Sequence, residues 1–141
     1  MNELITVIIT VITGVSIFVL GQIIINFWLM PIKKHKEVIG EIQDAIIFYA
    51  NVFSPMMDKK TQDEARENFR KLSTQLVSTA RVVPTHHISC FIFGLPSIDQ
   101  VQKAHHSLIG LSNSVGYERD AYKVMDDLKS ELNLWFINDE S

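Results

Sequence analysis

Two regimes of hydrophobic placement divide the chain. Residues 4–30, LITVIITVITGVSIFVLGQIIINFWLM, are apolar on every side and carry no full charge. As a helix, this run of about 27 residues measures roughly 40 Å at 1.5 Å per residue, against a bilayer core of about 30 Å. Its many Ile, Val and Thr residues form helix poorly in water. In hydrocarbon the backbone must satisfy its own hydrogen bonds, and helix is the local way to do that. The run therefore predicts one membrane-spanning helix. A secretory signal would have a basic residue before a shorter apolar stretch, then small residues at a cleavage site. Here Glu3 precedes the run, and Pro31 and a basic cluster follow it. The expectation is an uncleaved anchor over residues 1–31.

Beyond it the apolar positions become periodic, and four helices are expected in a domain over residues 32–137, with a frayed tail at 138–141. The overall class is all-α: one N-terminal transmembrane helix, then a small cytoplasmic bundle. The first of the four helices spans about residues 31–53, with Ile39, Ile42, Ile46, Tyr49 and Phe53 on one stripe at spacings of three and four. That stripe serves as a core face or a face between copies. Pro31 is tolerated in a first turn, so it either starts this helix or kinks the preceding one. Ser54-Pro55 interrupts the pattern. Thr61 and Glu64 have the spacing of a capping box, ahead of an apolar face at Phe69, Leu72, Leu76 and Val83 that should end before Pro84. Ser97 and Gln100 form a second capping box, ahead of Ile98, Val101, Ala104, Leu108 and Leu111. The last helix covers about residues 117–134, with Ala121, Val124, Met125, Leu128 and Leu132 inward. Trp135, Phe136 and Ile137 follow, to cap the bundle or touch the membrane.

One segment fits neither regime. Residues 88–95, ISCFIFGL, are apolar except for Ser89 and too short to span as helix. A buried loop or short helix in the core is the preferred reading. A brief strand and a hairpin dipping into the inner leaflet are the alternatives.

Charge placement supplies a direction. Glu3 is the only charged side chain before Lys33, and all 13 Lys and Arg follow the apolar run. Lys33, Lys34 and Lys36 directly after it predict the N-terminus outside and the body in the cytoplasm, at the inner (plasma) membrane. Trp28 beside them would anchor at the interface, and the lysines suit anionic headgroups. The 16 carboxylates against 13 bases leave no basic field for nucleic acid. Within the apolar run, Thr6, Thr10, Thr13, Gly14 and Gly21 recur at helical spacing, a pattern that lets a second helix approach closely. Gln22 and Asn26, four residues apart, would gain from pairing across that contact. The bland alternative is that the hydroxyls bond their own backbone and the amides reach the headgroups.

Candidate chemistry is sparse. His86, Cys90 and His105 are the conceivable metal ligands, but their spacing matches no structural zinc pattern, and solvated or capping histidines explain them more simply. The single Cys90 admits no internal disulfide. No nucleophile elbow, phosphate loop or metalloprotease motif occurs, so neither enzyme activity nor a cofactor is expected. The expected partners are the lipid bilayer, further copies of the chain and an unidentified cytoplasmic protein. The leading expectation is a self-associating, membrane-anchored helical module that recruits or senses that protein. The competing one is a membrane-perturbing, pore-forming effector, such as a small toxin or phage-defence component; a sensor built on the histidine pairs is a third. On the anchor reading, the chain sediments with membranes and resists alkaline carbonate extraction. Recovery in the soluble fraction without detergent would contradict the anchor.

Overall fold

The computed structural model describes residues 2–54, 56–132 and 134. Its described residues form five helices and no strand: α1 (Asn2–Phe48), α2 (Lys59–Val82), α3 (His86–Phe93), α4 (Ile98–Ser114) and α5 (Glu118–Glu131). The all-α expectation holds, with one long apolar N-terminal helix followed by a bundle.

Helix α1 runs without interruption for 47 residues, roughly 70 Å. Its apolar part is long enough to cross a membrane, and nothing in Asn2–Ile24 is buried. Burial starts at Ile32 and continues through His35, Val38, Ile42, Ala45 and Ile46. Between these halves lies Pro31, which lacks an N–H and whose ring collides with the carbonyl four residues back in a regular helix. The chain answers by widening: Ile25–Leu29 forms a π turn, closed by the Met30 N–H donating to the Ile25 carbonyl. Regular α-helix then resumes over Met30–Phe48. Pro31 marks a change of pitch and not a joint between two helices.

The helix ends at Phe48, short of the expected residue 53, yet Val52 and Phe53 in the turns that follow are still buried. The start of α2 also differs from expectation. Asp58, and not Thr61, is the N-cap: its carboxylate accepts from the Thr61 N–H at 2.9 Å and from the Thr61 hydroxyl at 2.8 Å. Glu64 is left to pair with Lys60. The second capping box is present as expected, the Ser97 N–H donating to Gln100 Oε1 at 2.8 Å and the Gln100 N–H to Ser97 Oγ at 3.3 Å.

The bundle is antiparallel throughout. α2 descends along α1, since Tyr49 meets Phe69 and His35 meets Thr79. α4 reverses again beside α2, and α5 returns along α4, where Ser107 donates to Glu131. Gly116 makes the last reversal with φ of +84°, and Gln62 crowds the site a Cβ would occupy. The core gathers Ile42, Ile46, Phe53, Phe69, Leu76, Leu108, Leu111 and Leu128. Ile39 and Tyr49 pack at its edge. Ile98 departs from its expected place inside and is 52% exposed. It is the first residue of α4, where the inward stripe begins only at Val101. Residues 135–137 lie outside the described residues.

Phe69 is fully buried and stacks on Phe53. Phe69→Ala should lower stability by about 3–5 kcal/mol through the lost burial and the cavity left behind. Phe48→Ala, at a position 79% exposed, should change it by less than about 0.5 kcal/mol. Chemical denaturation in detergent, followed by circular dichroism, measures both.

Candidate functional site

Three features stand out on this scaffold: the exposed apolar half of α1, a histidine pocket where that half meets the bundle, and a groove farther along α1.

On the apolar half, the expected packing residues are all accessible except Gly21, which is half-buried. The hydroxyls of Thr6, Thr10 and Thr13 donate to the carbonyls of Asn2, Thr6 and Ile9 at 2.8–2.9 Å. Their donors are thus satisfied within the helix. A Cβ added at Gly14 or Gly21 would meet nothing within 4 Å, so the backbone is bare there. Gln22 and Asn26 are exposed, as are Trp28, Lys33, Lys34 and Lys36. Lys33 leans toward Glu37 at 3.7 Å.

His35 belongs to a different class from the lysines around it. Its side of α1 faces α2 and α3, and it has no exposure at all. The Thr79 hydroxyl donates to the Gln75 carbonyl at 2.8 Å. Thr79 Oγ1 also lies 2.8 Å from His35 Nδ1. With the hydroxyl proton on the Gln75 carbonyl, it accepts from an Nδ1–H, the tautomer that leaves a lone pair on Nε2. Across the pocket is His86, its ring 6.5 Å from that of His35, edge to face. His86 Nδ1 lies 3.1 Å from Cys90 Sγ. Neither Nε2 has a hydrogen-bond partner among the described residues. Burial pushes His35 down to about 4, with His86 adding to the shift, and burial also lowers His86. Burial raises the Cys90 thiol, the opposite of what a reactive cysteine needs.

The three conceivable metal ligands are not brought together. His86 and Cys90 meet, but His105 lies on α4 with its Nδ1 2.6 Å from Ser73 Oγ. No three ligating side chains converge among the described residues. The solvated reading fits the exposed His87 and His106 but not the buried His86. Sequence could have flagged His35, since it falls three residues before Val38 and seven before Ile42, on the buried stripe. Its lysine neighbours concealed that.

α3 reaches the pocket through His86 and is bounded by left-handed residues at both ends, Thr85 (φ +42°) and Gly94 (φ +64°). Gly adopts this conformation freely; a β-branched Thr does so at a cost. The cost is offset where the Thr85 carbonyl accepts from the Ile88 and Ser89 N–H groups, and Ser89 Oγ donates to the Pro84 carbonyl. The 88–95 segment is therefore mostly helix, and neither strand nor buried loop. Ser89 and Leu95 face inward, whereas Ile88, Phe91 and Ile92 are exposed, Phe91 by 92%.

The groove lies between the last turns of α1 and the middle of α2, with a volume of about 810 Å³. Ile47, Phe48, Tyr49 and Leu72 supply apolar surface, while Glu41, Asp44, Glu64 and Glu67 edge it against the single cation Lys71. Arg66 pairs with Asp63 at 2.9 Å, and both Arg66 and Arg70 cross to the end of α4. Arg66 donates to the Val115 carbonyl and Arg70 to Ser112 Oγ, both at 3.0 Å.

Comparison with family models, with characterised proteins and with solved structures gives no match.

The histidine pocket yields a pH dependence of definite sign. His35 binds its proton near pH 6.5 when unfolded but only near 4 when folded. Its contribution is thus fully present above about pH 6.5 and drains away as pH falls toward 4. The loss is on the order of 3 kcal/mol. Thermal unfolding in detergent should shift down across that window, and His35→Leu should flatten the dependence. An unchanged profile in His35→Leu would assign the acid sensitivity elsewhere.

Proposed function

We propose that the chain is a membrane-anchored docking module: residues 4–30 cross the plasma membrane once, with the N-terminus outside, and the bundle presents a binding groove in the cytoplasm. The observation that carries this is the continuity of α1, with no buried residue over Asn2–Ile24 and core-forming from Ile32 onward. An apolar rod that none of the described residues buries needs a solvent of its own kind, and hydrocarbon is one. The three exposed lysines past its end support the direction.

The groove supports the docking role. Phe48 stands exposed beside carboxylates of both helices. An apolar anchor site with an acidic rim suits a basic amphipathic segment of a cytoplasmic protein, which would bury its apolar face on Phe48 and Ile47 and set its cations over Glu41, Asp44 and Glu67. Self-association through the bare backbone at Gly14 and Gly21 would multiply such grooves on one patch of membrane, raising effective concentration without new contacts. A water-filled pore finds less support, since the threonine hydroxyls spend their protons on their own helix.

A photocrosslinking residue in place of Phe48 in the intact cell should give a discrete adduct heavier than the chain, and Glu67→Lys should remove it. The same residue at Asp126, on the far side, should give none. Adducts at both sites alike, or at neither, would reject the docking role. An adduct of twice the chain mass would make the groove a contact between copies.

A further inference from the structure

We infer that α3 is a second membrane contact, an interfacial helix whose Ile88, Phe91 and Ile92 face sinks into the cytoplasmic leaflet beside the span. The inference rests on residues 4–30 being the span, and it adds a site that this reading does not require.

The level of α3 along α1 is set by two contacts. Its first residue, His86, faces His35. Farther along, Cys90 packs on the small cluster of Ile32, Val83 and Leu95. Ile32 and His35 are two and five residues past Met30, or roughly 3 and 8 Å along the helix. The headgroup layer on each side of a bilayer is about 5–8 Å thick. α3 therefore flanks α1 within the stretch that headgroups would surround, at the level of the exposed Lys33, Lys34 and Lys36.

Its chemistry fits that level. Among HHISCFIF no side chain carries a full charge except through histidine. Of the polar members, His86 and Ser89 turn into the bundle and are buried, while His87 stays exposed at the start of the helix. Phe91 is 92% exposed, Ile92 62% and Ile88 49%, an arrangement that water penalises. Nearby Val82 is exposed as well, widening the patch toward the end of α2. The two left-handed corners at Thr85 and Gly94 hold the face outward and do not let it collapse onto the core. Interfacial helices bury their apolar face about 5–10 Å deep at the headgroup–acyl boundary. A second copy could cover the same face. Lipid is favoured because the patch continues the level of an apolar rod already committed to hydrocarbon, whereas the bare-backbone positions Gly14 and Gly21 lie more than two turns away along α1.

The test uses the full chain in nanodiscs of phosphatidylcholine and phosphatidylglycerol. A nitroxide is attached at Phe91→Cys in a Cys90→Ser background. Reference labels sit at Phe18→Cys in the span and at Met56→Cys, which is 95% exposed in the loop between α1 and α2. Collision with molecular oxygen, which partitions into lipid, is compared with collision with a water-soluble nickel chelate. The proposal expects the oxygen-to-nickel ratio at position 91 to shift from the Met56 value toward the Phe18 value. A ratio at the Met56 value, with Phe18 in lipid, overturns the second contact and leaves the anchor standing. Few collisions of either kind at position 91 would mean protein covers the face, which also overturns it. An aqueous ratio at Phe18 itself defeats the anchor and the inference together. A label at Ile92→Cys must follow the same pattern, so a local defect at position 91 cannot decide the result.

Discussion

Helix α1 is stabilised in two different ways along one axis, and the rest of the molecule depends on their meeting without a break. Over its first half, no residue is buried among the described residues. In the proposed hydrocarbon surrounding, which offers the backbone no hydrogen bonds, helix is compulsory there. Over its second half, the same backbone is held by Ile32, Val38, Ile42 and Ile46 packing into a core. β-Branched residues are common in both halves, so intrinsic propensity explains neither. Because no linker separates the halves, the first buried residue follows the apolar run within a turn. That fixes the heights of α3 and of the groove relative to the end of the run.

The bundle is fastened differently at its two ends. At the end remote from the apolar half of α1, Arg66 and Arg70 satisfy the termination of α4 with charge-assisted bonds to Val115 and Ser112. At the near end, the polar groups are His35, Thr79, His86 and Cys90, all of which can be neutral. Charged groups are costly to bury where the dielectric constant is low, and arginine there would need a full complement of partners. A neutral imidazole bonded to a threonine hydroxyl gives the junction directionality without that demand. It also makes the junction the part of the fold most exposed to acid.

Much of this was legible from residue order, for physical reasons that differ by element. The apolar half of α1 is written in an unbroken uncharged run, and the four bundle stripes in periodicity, because burial on one face leaves a repeat that survives in one dimension. The Ser97–Gln100 box was legible since both of its bonds are local. The Thr61–Glu64 pair had the same spacing and misled, because Asp58 just upstream is the better acceptor and takes the Thr61 amide first. The histidine pocket was not legible. It joins His35, Thr79 and His86 from three helices, and no local pattern encodes that meeting. The metal candidates failed for the same reason: His86 and Cys90 share a helix turn, whereas the position of His105 depends on how α4 packs on α2. For α3, hydropathy alone could not separate an inward from an outward face; the left-handed corners at Thr85 and Gly94 decide it.

The π turn at Ile25–Leu29 has a consequence for azimuth. In a regular helix each residue advances by about 100° around the axis, and a π turn holds roughly one residue more per turn. Its presence thus rotates everything after Met30 by about a quarter turn or a little more, relative to the phase set by Thr10, Gly14 and Gly21. The compass bearing of the groove, measured from whichever side of the rod meets a neighbour, is determined by a single residue of count. Two copies joined along that side would therefore point their grooves apart, together or past one another according to that count alone.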